Sequence, residues 1–242
     1  MTLDEEIEQY GKVVYRKGED LPNQIYVVAQ SHNNPDGSFN ENIPMVQLEI
    51  FRIGQNLTKN YEVFLILPES RNKETDYYLS EDKQLREILC ENFFRWHHER
   101  TKNDKDVIHL LEEGLSDNIR GATLLACEPN VVMQGAESKL AHELALHAIY
   151  NNQTYGLQFL SRLREINLLF NIPKVTSREF NLGRVPNLNS MVTFGGGHMD
   201  KMRYAIDNDG FGISLMNGYN FLPLNYQKQG YGVTIIMPHH AY

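Results

Sequence analysis

Several short runs in this chain are apolar at every position, and the clearest is Val63-Phe64-Leu65-Ile66-Leu67, which stops at Pro68-Glu69. A strand with one wet face alternates apolar and polar residues. A run without alternation therefore reads as a strand covered on both faces, as in a parallel sheet between helices. Residues 25–29, 107–111, 122–127, 191–194 and 232–237 read the same way. Between them lie segments with helical spacing. Residues 43–57 place Val46, Ile50, Ile53 and Leu57 on one face. Residues 80–100 begin at the N-cap candidate Ser80 and carry Leu85, Ile88, Leu89 and Phe93 on one face. Helical pattern returns over 137–150, 155–170, 177–184 and 200–207, and the residues before Ile25 read as a polar leader. The expectation is an α/β fold, with a mostly parallel central sheet flanked by helices and an added helical layer. No low-complexity linker or charge block marks a boundary in the 242 residues, so the chain reads as one domain. Its core would cover roughly 24–210, with a C-terminal strand and tail over 211–242.

A formal charge of -8 argues against nucleic acid or an anionic membrane as the main partner, because both need clustered Lys and Arg. No apolar run reaches bilayer length, and the first residues are acidic, unlike a signal peptide. The two cysteines, Cys90 and Cys127, suit reduced core thiols. A soluble cytoplasmic protein acting on a small molecule or peptide is expected, with a homodimer as one option for its assembly.

The stretch Met191-Val192-Thr193-Phe194-Gly195-Gly196-Gly197-His198 reads as a buried strand, a glycine turn and the start of a helix. That puts His198 at the carboxyl end of a strand, where open α/β sheets form their ligand crevice. Gly195, Gly196 and Gly197 would let a ligand approach the backbone. Ile25-Tyr26-Val27-Val28-Ala29-Gln30-Ser31-His32 repeats the layout, so Ala29-x-x-His32 mirrors Gly195-x-x-His198. The apolar runs end in turn at His32, Glu69, Glu112 or Glu113, Glu128, His198 and His239. In a parallel sheet those ends point one way, which would gather imidazoles and carboxylates at one mouth.

Histidine with carboxylate supports two chemistries. In one, His32, His198, Glu69 and Glu113 hold a divalent metal that activates water. In the other, a carboxylate orients a histidine that takes the proton from water. The residue types leave this choice open. His142 and His147 are five apart, which separates them by roughly 140° on a helix and denies them the spacing of the zinc-protease motif. Glu143 and His147 are spaced as a helix surface pair. Neither a phosphate-binding Gly-Lys-Ser/Thr loop nor a Gly-x-Ser-x-Gly elbow occurs.

With these motifs the chain resembles the superfamily that joins Tiki-type metalloproteases, TraB/PrgY proteins, ChaN-type haem-binding lipoproteins and erythromycin-esterase-like hydrolases. Members carry two Gly-x-x-His motifs, acids closing the intermediate strands and a helical arginine upstream of the second motif. Here the second motif matches at Gly195 and His198, whereas the first has Ala29 in place of glycine. The resemblance implies Glu69 and Glu128 as strand-end acids, with Glu113 competing for the first place, and Arg178 as the helical arginine. Read physically, Arg178 could orient an acid, bind a substrate oxygen, or pair with Glu179. The expected activity is hydrolysis of amide or ester bonds through His32, Glu69, Glu128, Arg178 and His198, with Mn, Co or Zn as cofactor. The alternative is a non-catalytic protein that holds haem, metal or peptide, with His239, His240 and Tyr242 as candidate axial ligands.

Overall fold

The computed structural model describes residues 2–31, 41–69, 103–114, 121–125, 128, 130–137, 140, 143–144, 147, 154–215 and 218–241. The expected segment 80–100, His32, His142 and Cys90 and Cys127 lie outside them. Among the described residues eight strands run in chain order: β1 (Gly11–Lys17), β2 (Asn23–Gln30), β3 (Leu65–Leu67), β4 (Val132–Met133), β5 (Ser190–Gly195), β6 (Gly210–Leu215), β7 (Gly218–Pro223) and β8 (Tyr231–Pro238). Six form one sheet in the order β1-β8-β2-β5-β3-β4, and β6 and β7 pair as a separate hairpin. Within the sheet β2, β3, β4, β5 and β8 are mutually parallel, and only β1 runs against its neighbour. This is the mostly parallel α/β architecture that the unbroken apolar runs predict.

Side chains alternate across the sheet and feed two cores. Val27, Leu67, Phe194 and Ile235 pack with α5 (Thr154–Asn181) and α6 (Met199–Asp207) on one face. Val28, Ile66, Met191 and Ile236 pack on the other against α1 (Leu3–Ile7), α2 (Ile43–Tyr61), α3 (Asp104–Gly114) and α4 (Gly121–Leu124). The inner strands β2, β3, β5 and β8 are thus covered twice, which is why their sequences do not alternate. The connection leaving β2 builds α2 on one face, and that leaving β5 builds α6 on the other. Adjacent parallel strands whose connections part to opposite faces open a crevice at their carboxyl ends.

Two expected strands are helices. Over 107–111 the chain is part of α3. Asn103 accepts the Lys105 amide through its side chain, Asp104 and Asp106 occupy the first turn, and Val107 and Leu111 are buried four apart while His109 and Glu112 are exposed. The run from Ala122 belongs to α4, which lies so close to α2 that a Cβ on Gly121 would meet the Gln47 carbonyl oxygen at 1.9 Å. The strand beside β3 is the two-residue β4, too short to carry a periodic signal. The leader holds α1, closed by a Thr2–Glu5 capping box, and the alternating edge strand β1.

Helical segments expected at 155–170 and 177–184 are one helix, α5, of 28 residues with Pro173 inside it. A proline there has no N–H for the carbonyl four residues back, that of Leu169. The buried Tyr226 hydroxyl donates to that carbonyl. Burial raises the Tyr226 pKa well above its ordinary value, so the hydroxyl remains a proton donor.

Candidate functional site

β5 ends at Gly195, a single 3-10 turn covers Gly196–His198, and α6 starts at Met199. None of the three glycines adopts a left-handed backbone, which among the described glycines is kept for Gly18, Gly183 and Gly230. A Cβ on exposed Gly197 would meet nothing within 4 Å. These glycines therefore answer no backbone strain, and Gly197 stands open at the turn.

His198 Nδ1 lies 2.6 Å from Glu165 Oε1, and the Glu165 side chain is 0% exposed on α5. Arg162 and Lys201 approach the same carboxylate at 3.6 and 3.5 Å. Its second oxygen, Oε2, has no hydrogen-bond donor among the described residues. A carboxylate withdrawn from water and bonded chiefly to one imidazole fixes the ring's tautomer and direction. The His198 ring also packs on Phe194, with centroids 4.8 Å apart.

A second carboxylate group adjoins it. Gln30 at the end of β2 donates through Nε2 to Glu69 Oε2, and the Glu69 amide donates to the Thr193 hydroxyl at 3.3 Å. Arg164 reaches Glu69 Oε1 at 3.4 Å and grips both oxygens of buried Glu137 at 2.9–3.1 Å. The Arg164 guanidinium stands 5.6 Å from the Phe194 ring centroid, so that ring separates the His198 and Arg164 groups while touching both. After β8, His240 Nδ1 lies 2.6 Å from Glu49 Oε1 of α2, and its amide donates to Glu49 Oε2 at 3.0 Å. His239 Nε2 lies 2.7 Å from the Glu8 carbonyl oxygen.

Of the residues singled out from sequence, Glu69, His198 and the three glycines gather at this edge. His32 lies outside the described residues, but β2 is seen up to its end, where Gln30 pairs in register with Gly195. Glu128 does not join them. It precedes β4, at the amino edge of the sheet, where it accepts from Gln55 at 2.6 Å. The run before it is a helix, so it closes no strand. Glu113 sits on α3 in the opposite helical layer for the same reason. Arg178 is on α5 but about 21 Å further along it than Arg164, at about 1.5 Å per residue. There it pairs with Glu179 at 2.8 Å and donates to Gln134 at 3.2 Å. Glu143 and His147 are helical and exposed.

Sequence reasoning missed Glu165, Arg164, Gln30, Glu137 and Glu49. Two of them carried a signal: Glu165 falls in the buried stripe with Ile166, Leu168, Leu169 and Ile172, and Glu49 in that with Val46, Ile50 and Ile53. A carboxylate in an apolar stripe must have a partner.

The described donors do not fit a divalent metal. Three of the carboxylates at the edge already face a cation, Glu69 and Glu137 through Arg164, and Glu165 through Arg162 and Lys201, and Glu49 holds His240. Among the described residues no group of three or more His, Cys, Asp or Glu is arranged to hold a metal ion. Of the expected set, His198 and Glu69 stand at this edge, Glu113 is on α3, and His32 lies outside the described residues. Comparison with protein-family models, with curated proteins and with solved structures finds no match to this chain. Among the described residues no helix is long and apolar enough to cross a membrane.

Proposed function

We propose that this protein hydrolyses amide or ester bonds of a small molecule or peptide at the carboxyl ends of β2 and β5, with His198 as general base. The observation that carries this reading is the 2.6 Å contact from His198 Nδ1 to the buried carboxylate of Glu165 at the mouth of the crevice. With Nδ1 committed to Glu165, proton transfer falls to Nε2, which removes a proton from water as its oxygen attacks the carbonyl carbon. Glu165 holds the ring and balances the imidazolium that forms. The amides of the glycine turn, which no side chain caps, are donors for the carbonyl oxygen as its charge develops. Gln30 and Arg164 fix Glu69 beside this position. The same reading takes Cys90 and Cys127 as reduced thiols, and so the protein as cytoplasmic.

Turnover of a panel of aryl esters, alkyl esters and peptide amides tests it. His198→Ala and Glu165→Gln are each expected to lower kcat/KM about 10²- to 10⁴-fold, the usual worth of general base catalysis. Prior treatment with chelator is expected to leave the rate unchanged, and added Mn, Co or Zn to raise nothing. Loss of activity on chelation with recovery on one of these ions would assign the work to a metal. Turnover that is absent, or insensitive to both substitutions, would leave a binding protein.

A further inference from the structure

His240 is a second imidazole at the same sheet edge that the reading above does not use. β8, β2 and β5 are consecutive strands, and Ile236, Val28 and Thr193 form one row across them. Two residues further on β5 ends at Gly195, and β8 ends at Pro238, so both chains leave the sheet at the same level on either side of β2. The two exits are two strand spacings apart, about 9.5 Å. Each delivers a histidine whose Nδ1 lies 2.6 Å from a buried glutamate. Glu165 comes from α5 on one face and Glu49 from α2 on the other, so the imidazoles flank the end of β2 from opposite layers.

Glu49 does more than hold the backbone after β8. One oxygen takes the His240 amide and the other the ring, which sets the ring's direction. The ring remains 45% exposed, and Nε2 has no protein partner among the described residues.

We infer that His240 is a catalytic residue, the general acid that protonates the leaving group in the hydrolysis proposed above. That inference rests on the reading of His198 as the base. The step balances: His198 Nε2 takes one proton from water as the new C–O bond forms. The bond from carbon to the leaving oxygen or nitrogen breaks, and that atom takes the proton from His240 Nε2. His198 then holds one proton more and His240 one fewer, and exchange with solvent resets both. Separate imidazoles let the base and the acid act from different sides of the carbonyl carbon.

An acid on the leaving group matters only where that group needs a proton, which gives a readout that a structural role would not move. The test compares a p-nitrophenyl ester, whose leaving group departs unprotonated, with the ethyl ester and amide of the same acid. His240→Asn keeps an N–H donor for Glu49 and removes proton transfer. It is expected to lower kcat on the ethyl ester and amide about 10²-fold, and on the aryl ester less than about twofold. His240→Ala should show the same selectivity, and His198→Ala should lower all three. An equal fall on all substrates in both His240 variants, or no fall on any, overturns the assignment to His240 while leaving His198 as base. If the wild-type protein turns over none of the three, both readings fall together.

Discussion

Helix α5 carries two fully buried carboxylates, Glu165 near the crevice and Glu179 toward the opposite edge of the sheet, each 0% exposed. Glu179 lies between Arg178 at 2.8 Å and Arg184 at 3.2 Å, one guanidinium to each oxygen. Guanidinium keeps its proton at any pH the protein meets, so this triad has one state. It fastens the end of α5 to the turn that leads into β5. Glu165 has the same burial on the same helix, but its close partner is an imidazole, the side-chain type that serves as general acid or base. Its cations stand at 3.5 Å or more, and one oxygen is left without a hydrogen bond. The two sites differ little in ingredients. What separates them is whether the partner of the buried charge is of a type that can exchange a proton, beside a glycine turn.

Matched substitutions break this comparison most directly. Glu165→Gln is expected to cost about 10²- to 10⁴-fold in kcat/KM, whereas Glu179→Gln should leave it within about threefold. Ester hydrolysis by the two purified variants measures this, and similar losses in both would erase the distinction. In stability the order reverses. Glu179→Gln strips two guanidinia of their counter-charge and should cost about 2–3 kcal/mol in urea unfolding, below the usual value for a broken buried pair because both arginines are partly exposed. A smaller effect sharpens the contrast on the amino side of the sheet, where Tyr26 packs edge-on to Tyr61. Burial, with Tyr61 adding to it and Arg16 opposing, pushes the Tyr26 pKa up to about 12 from 10.0. A hydroxyl whose pKa is raised by folding stabilises the protein fully below the unfolded value, and that contribution is lost as pH rises from 10.0 through about 12. Urea titrations across this window should show a decline that Tyr26→Phe reduces by roughly 1–2 kcal/mol.

Much of this fold is legible in the order of residues, and what is not has identifiable causes. Strands buried on both faces announce themselves by continuous apolar composition, as at residues 25–29 and 191–194. The same criterion misfires at 107–111, because four apolar residues around His109 suit a helical turn that buries Val107 and Leu111 as well as they suit a strand. Only Asp104 and Asp106, read as a helix start, separate the two. β4 escapes because two residues have no period. At the crevice, His198 and Glu69 are legible from position alone, since they follow strands. Their partners are not, because Glu165, Arg164 and Glu49 approach from helices whose rotation about their axes fixes which side chain arrives. Arg178 and Arg164 lie on the same helix, and no spacing rule distinguishes them. The antiparallel run of α5 beside residues 134–137 does so, bringing Arg164 to Glu137 and Arg178 to Gln134.

The Tyr226 hydroxyl on the Leu169 carbonyl sets an order of events during synthesis. Arg164 and Glu165 sit on a helix whose backbone is one donor short at Pro173, and the missing donor lies 57 residues downstream. At about 5–20 residues per second, the ribosome delivers it roughly 3–11 s after Leu169 itself. During that interval the carbonyl stays on water, and the helix that holds the crevice cannot bury its middle. Closure of the core between α5 and the sheet is therefore favoured only once the tyrosine is available.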